Sequence, residues 1–144
     1  MTIWKKEVHQ ITVFDNEHGG TMIDHLGIEV VEIGDDWIKA RMPVDRRTVQ
    51  PQGRLHGGAS VALAETVGSI AANMVIAGED ELAVGLDINA NHIRPVKQGF
   101  VYGTARPEAL GRTTQVWTIR ITDEKERLVC IARLTMAVIA MGRG

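Results

Sequence analysis

Residues 57–77 contain one charged side chain, Glu65, and no other stretch of the chain constrains the fold as strongly. A run that long and that poor in charge must be covered on nearly every side, by lipid or by protein. Its length would allow a membrane span. Its composition points away from one, because Ala and Gly dominate and Ser60, Thr66, Ser69 and Asn73 add polar groups. The run therefore predicts a long helix buried in a soluble core and stopping near Gly78. Its small side chains would let neighbouring elements approach the helix backbone closely.

The segments around the run supply its cover. Thr21 and Asp24 have capping-box spacing and predict a short helix ending at Gly27. Residues 28–33 and 37–42 read as two strands joined by a turn at residues 34–36, followed by a loop over 43–55 that holds Pro51 and Gly53. Beyond the helix the apolar period shortens to two. Leu82, Val84, Leu86 and Ile88 then fall on one face of a strand running toward His92. Residues 100–107 form a further candidate strand, and Trp117, Ile119 and Ile121 alternate with Thr118, Arg120 and Thr122 in the next. After a turn at 123–126, residues 128–141 make a long final strand, in which Met136 and Met141 read as core or edge filler. Before Thr21 no clean period exists. One long helix flanked by antiparallel strands implies an α+β layer arrangement, a sheet wrapped over a helix. At 144 residues this is expected to be one domain, spanning 1–144.

Charge narrows the function classes. Lys and Arg total 16 against 18 for Asp and Glu, a formal balance of −2. No basic excess or polybasic run is available to grip a nucleic acid or an anionic membrane. Cys130 is the single cysteine, so neither an intrachain disulfide nor a multi-cysteine metal site can form. A reducing cytoplasm is the expected setting, and the N-terminus lacks the apolar run of a signal peptide.

Glu65 is the residue with most chemical content. An ionised carboxylate on a dry helix is costly unless it faces a cleft or has a dedicated partner; the structural alternative is an exposed or interfacial edge. His56, Gly57 and Gly58 lead into the same helix. There uncovered N–H groups and the positive end of the helix dipole can stabilise an oxyanion, although two glycines also permit a tight turn. No other histidine (His9, His18, His25, His92) stands at metal-ligand spacing from His56, so no metal is expected and His56 alone reads as structural. Ser69 lies one turn after Glu65 on the same face, without the Gly-x-Ser-x-Gly setting of a serine hydrolase nucleophile. Residues 53–58 lack the Gly-Lys-Ser/Thr ending of a phosphate-binding loop.

Taken together, Gln50-Pro51-x-Gly53-x-Leu55-His56-Gly57-Gly58-Ala59 followed by Ala64-Glu65-Thr66-x-Gly68-Ser69 resembles the hotdog-fold acyl-CoA thioesterases. Within them the chain is most similar to the bacterial subgroup acting on aryl-CoA thioesters, including 1,4-dihydroxy-2-naphthoyl-CoA. Residues 42–48, 85–92, 110–112 and 133–135 match as well, and the resemblance runs from Ile3 to the last strand. It implies one long helix wrapped by an antiparallel sheet, with sheets paired edge to edge into homodimers and these into homotetramers. It makes Glu65 the catalytic carboxylate, as nucleophile or as general base on water. Gly57 N–H would polarise the thioester carbonyl, Gln50 and His56 would position the reacting groups, and Ser69 would orient the water or carboxylate.

Gly85, His92, Ile93, Arg94 and Pro95 are implied to line the coenzyme A channel. Ala109, Leu110, Gly111, Arg112, Thr113 and Thr114 complete that implied lining. Arg94, Lys97 and Arg112 either meet coenzyme A phosphates or are simply solvated strand ends. Gln52, Arg54, Thr66 and Gly68 stand at variable positions near the implied acyl pocket and leave the acyl group open. Coenzyme A enters as part of the substrate, and no cofactor is implied. Two other readings remain: a hotdog hydratase or dehydratase, and a non-catalytic acyl-CoA-binding protein. A helix starting at Gly57 puts Glu65 roughly 12 Å away at about 1.5 Å per residue. One straight helix cannot bring both to one carbonyl. A partner subunit, contributing Gln50, His56 and Gly57 against Glu65 and Ser69, would solve this.

Overall fold

The computed structural model describes residues 1–12 and 20–141, so His18 lies outside the described residues. The low-charge run forms α3 (Gly57–Met74), preceded by the short helices α1 (Val8–Thr12) and α2 (Met22–Leu26). Six strands follow the expected order: β1 (Glu29–Ile33), β2 (Ile38–Pro43), β3 (Glu81–His92), β4 (Phe100–Leu110), β5 (Thr114–Thr122) and β6 (Leu128–Ala140). They make one antiparallel sheet in the order β1-β2-β4-β5-β6-β3. The sheet curls round α3, which touches every strand from β2 to β6. This is a hotdog architecture. No helix among the described residues is long and apolar enough to cross a membrane.

Alternation explains which side of the sheet meets the helix. Trp117, Ile119 and Ile121 on β5 are fully buried, as are Ile38, Ala40 and Met42 on β2 and Leu134 and Met136 on β6. The intervening positions are half-buried or exposed. Met136 is core and Met141 a half-exposed edge residue. Small side chains on α3 let the helix sink into this surface. A Cβ on Gly68 would lie 2.6 Å from Leu134 Cδ2 and 3.3 Å from Ile119 Cδ1. Gly68 therefore faces the sheet and not an acyl pocket. The buried indole of Trp117 donates to Gln115 Oε1 (2.8 Å), and Gln115 Nε2 donates to Ala72 O (3.2 Å). No buried polar side chain among those described is left unpaired.

Two local readings need correction. The expected alternation of Leu82, Val84, Leu86 and Ile88 breaks at a bulge between Gly85 and Asp87. The inserted residue, Leu86, is exposed at 61%, whereas Ala83 is buried. The extra residue reverses which side chains face the helix on either side of the bulge. Helix α3 ends at Met74, before Gly78. Its end is fixed by the N-terminal segment, which has no period of its own: Lys5 N–H and Lys6 N–H both donate to Met74 O (2.7 and 3.0 Å). Trp4 anchors that segment by stacking on Trp117 and donating to Gly34 O (2.7 Å). The capping box at Thr21 and Asp24 forms, and Gly27 closes α2 at φ 72°.

Gly68→Val should test the depth of the helix seat. Overpacking against Leu134 and Ile119 should cost about 1–3 kcal/mol, read as a lower urea midpoint with an unchanged slope. A variant as stable as the wild type would mean that the helix does not sit this close.

Candidate active site

The loop before α3 is built by its own backbone. Thr48 is buried and its hydroxyl donates to Pro43 O (2.7 Å). Thr48 O in turn accepts His56 N–H (2.8 Å), and a turn closed by Gln50 N–H to Arg54 O (2.7 Å) projects between them. Leu55 N–H ties the loop to Val96 O (2.7 Å), beside the end of β3. The Arg47 guanidinium and backbone N–H hold the Asp45 carboxyl down to about 2. A depressed carboxyl contributes stability above its ordinary pKa and loses it only as pH falls toward the folded value, so this brace persists through neutral and mildly acidic pH.

His56 is the N-cap of α3: its Nδ1 accepts Gly58 N–H at 2.8 Å. An accepting Nδ1 places the ring proton on Nε2. With Gly58 N–H so engaged, Gly57 N–H is left at the first helical position, where no acceptor within the helix exists. It finds none among the described residues. The His92 ring lies over Gly57 so closely that a Cβ there would be 3.0 Å from Nε2. Gln50, Gly57, His92, Ile93, Arg94 and Pro95 thus share one open cleft of about 380 Å³ at the start of the helix.

Glu65 opens elsewhere. It is half-buried, two turns along α3, at a separate cavity of about 270 Å³ lined by Met22, Ile23, Leu26, Ile28, Ala62 and Thr66. Among the described residues its carboxylate has neither an ion pair nor a hydrogen bond. It rests directly against Gly85 of β3, beside the Leu86 bulge, where a Cβ would collide with Oε2. Ser69 follows one turn on, half-buried. The apolar walls that α2 adds to this cavity were missed in the sequence, although the capping box marked that helix; the apolar Met22, Ile23 and Leu26 within it were the available signal.

The remaining sites fall at the far end of α3. Leu110, Gly111 and Arg112 border a third cavity, about 520 Å³, beside Val75 to Gly78. Ala109 precedes it on β4. Thr113 O and Thr114 O accept Val138 N–H and Gly111 N–H (both 2.9 Å) and shape the hairpin. Within one chain, then, the residues expected to act together lie in three places along the helix. Lys97 is exposed, and no group of three or more His, Cys, Asp or Glu among the described residues is placed to hold a metal.

A long helix wrapped by a six-stranded antiparallel sheet is the architecture of the hotdog-fold thioesterases, and that is the class of this chain. The chain belongs to the Thioesterase superfamily, whose sequence profile matches residues 52–130. It is 48% identical to the 1,4-dihydroxy-2-naphthoyl-CoA hydrolase of Escherichia coli K12, an alignment covering 95% of this chain and 99% of that protein. It is 47% identical to the proofreading thioesterase EntH of Cronobacter turicensis, over 95% of this chain and 98% of that one. A crystal structure of a Haemophilus influenzae thioesterase superposes with a TM-score of 0.87 at 48% identity, covering 97% of this chain and 96% of that one. The protein is a thioester hydrolase.

Gly85→Ala should separate folding from chemistry. The group it strikes is the far end of a flexible side chain, so Tm should barely move. Displacing the Glu65 carboxylate by about 1 Å should lower hydrolysis on the order of 10²-fold. Unchanged turnover would show that the Glu65–Gly85 contact is immaterial to the reaction.

Proposed function

We propose that this hydrolase cleaves aryl-CoA or medium-chain acyl-CoA thioesters, 1,4-dihydroxy-2-naphthoyl-CoA among them, to the free acid and coenzyme A. Glu65 supplies the attack, and neither metal nor cofactor takes part. The observation that carries this reading is the Glu65 carboxylate, free of partners among the described residues and set beside a compact apolar cavity. At about 270 Å³ the cavity lies near the lower limit of ligand-sized pockets, which suits a ring system or a medium chain. Glu65 either attacks the thioester carbon, giving an anhydride that water then opens, or takes a proton from the attacking water. In both routes the carbonyl oxygen becomes an oxyanion held by Gly57 N–H, and the C–S bond breaks to release the thiolate. His56 supports that donor by engaging Gly58 N–H. Gln50 faces the same cleft, and Ser69 is one turn from Glu65. In this reading Arg94 and Arg112 meet coenzyme A phosphates. The named substrate of the Escherichia coli relative favours the aryl class. The hydratase reading finds no support in the two relatives named above, both of which are thioester hydrolases by name.

Gly57 and Glu65 are roughly 12 Å apart along α3 and open to different cavities. We infer that each site spans two subunits of a homodimer that pairs again into a tetramer. Glu65 and Ser69 come from one chain, and Gln50, His56 and Gly57 from the other. The edge position of β3, which among the described residues pairs with β6 alone, supports this arrangement. The lone Cys130 fits a cytoplasmic setting.

Thiol release from benzoyl-CoA and from a medium-chain acyl-CoA measures the activity directly. Glu65→Gln should lower kcat by about 10²-fold or more while substrate still binds, and EDTA should leave the wild type unaffected. Near-wild-type release by Glu65→Gln would remove Glu65 from the chemistry.

A second measurement addresses the shared site. Glu65→Ala chains and Gln50→Ala/His56→Ala chains, each inactive alone, are refolded together in equal amounts. Half the dimers should be mixed, each with one intact site, restoring about a quarter of wild-type activity. No recovery with mixed dimers confirmed by mass would mean that each chain builds its site alone.

A further inference from the structure

We propose that Asn73 is a positioning residue for thioester hydrolysis: its amide fastens the Ser69 carbonyl to the backbone of Ala83 and so holds the Glu65 carboxylate against Gly85. Three hydrogen bonds carry the inference. Asn73 Nδ2 donates to Ser69 O (2.9 Å) and to Ala83 O (3.2 Å), and Asn73 Oδ1 accepts Ala83 N–H (2.9 Å). Both amide protons and an oxygen lone pair are thereby used. Ala83 is buried and stands opposite Val138 of β6, yet Val138 N–H turns the other way, to Thr113 O. The polar groups of Ala83 therefore face the outer edge of β3, and one side chain from α3 satisfies them there.

The positions on either side of this clamp are the ones that meet at the carboxylate. Ser69 is one turn from Glu65 on α3, and Gly85 is two residues from Ala83 on β3. A shift of α3 along β3 would carry Glu65 off the one residue without a Cβ and onto Val84 or the Leu86 bulge. The buried face of α3 near this point sets the small Ala71 and Ala72 between Ile70 and Met74, and apolar contacts of this kind are non-directional. A directional, two-sided amide contact fixes the register instead. Asn73 borders neither the Gly57 cleft nor the Glu65 cavity, so it acts through the carboxylate's placement and not by touching substrate.

The inference rests on Glu65 as the catalytic carboxylate. The test measures kcat and KM for Asn73→Ala and Asn73→Asp beside Glu65→Gln, with melting transitions and oligomeric mass for each. Asn73→Asp keeps an acceptor for Ala83 N–H, loses both donors, and serves should the alanine variant not fold. Ile38→Ala, in the core on β2 at the opposite part of the sheet, supplies a control with a comparable loss of Tm. Expected is a fall in kcat of about tenfold or more in both Asn73 variants, with KM within a factor of about two and oligomeric mass unchanged. Ile38→Ala should keep its kcat at temperatures where it is folded. Wild-type kcat in a folded Asn73 variant, or an equal fall in Ile38→Ala, would overturn the role of Asn73. Full activity in Glu65→Gln would instead overturn the assignment on which it stands, and the two failures are distinguishable in one set of assays.

Discussion

Everything in this molecule follows from the need to cover one helix. Helix α3 presents apolar or small side chains to five strands at once, and its glycine and alanines let the sheet close to within contact of its backbone. Covering such a helix on nearly all sides removes water from its length but not from its start or from the strip between α2 and β3. Those two openings are where the cleft and the cavity form. The two residues proposed for the chemistry stand at these gaps in the cover: Gly57 at the first and Glu65 at the second.

The same constraint explains why glycine recurs around the site for different reasons. Gly68 lets helix and sheet approach, Gly57 leaves room for the His92 ring, and Gly85 leaves room for a carboxylate. In each case the missing side chain is spent on a neighbour. Only the last two adjoin the helix-start cleft or the Glu65 carboxylate, and nothing in local sequence distinguishes them from the first.

The buried helix was legible because a single charge in a long dry run has few physical explanations, and Glu65 was legible for the same reason. Strand β5 was legible because burial on one face leaves a clean period of two, from Trp117 to Thr122. Strand β3 was misread where one inserted residue, Leu86, reverses the faces of the strand; an added residue leaves no trace in hydropathy when both neighbours are apolar. The role of the first residues was hidden because Trp4 is a lone aromatic whose partner, Trp117, lies more than a hundred positions away. Distance in sequence also hid the contact of Glu65 with Gly85 and the reach of Asn73 to Ala83. The resemblance named residues expected to act together, yet one chain distributes them along the whole helix.

The closure of α3 at Met74 has a consequence for the field the helix generates. Its carboxyl end is dressed by the chain's own beginning: two backbone N–H groups meet Met74 O, and the Lys6 ammonium reaches Gly78 O at 3.1 Å just beyond. Negative potential at that end is thus largely quenched within the protein. The amino end keeps its Gly57 N–H uncommitted among the described residues. The helix therefore behaves as a one-ended dipole, insulated along its length and grounded at the rear, with its positive pole left as the only terminal facing the cleft.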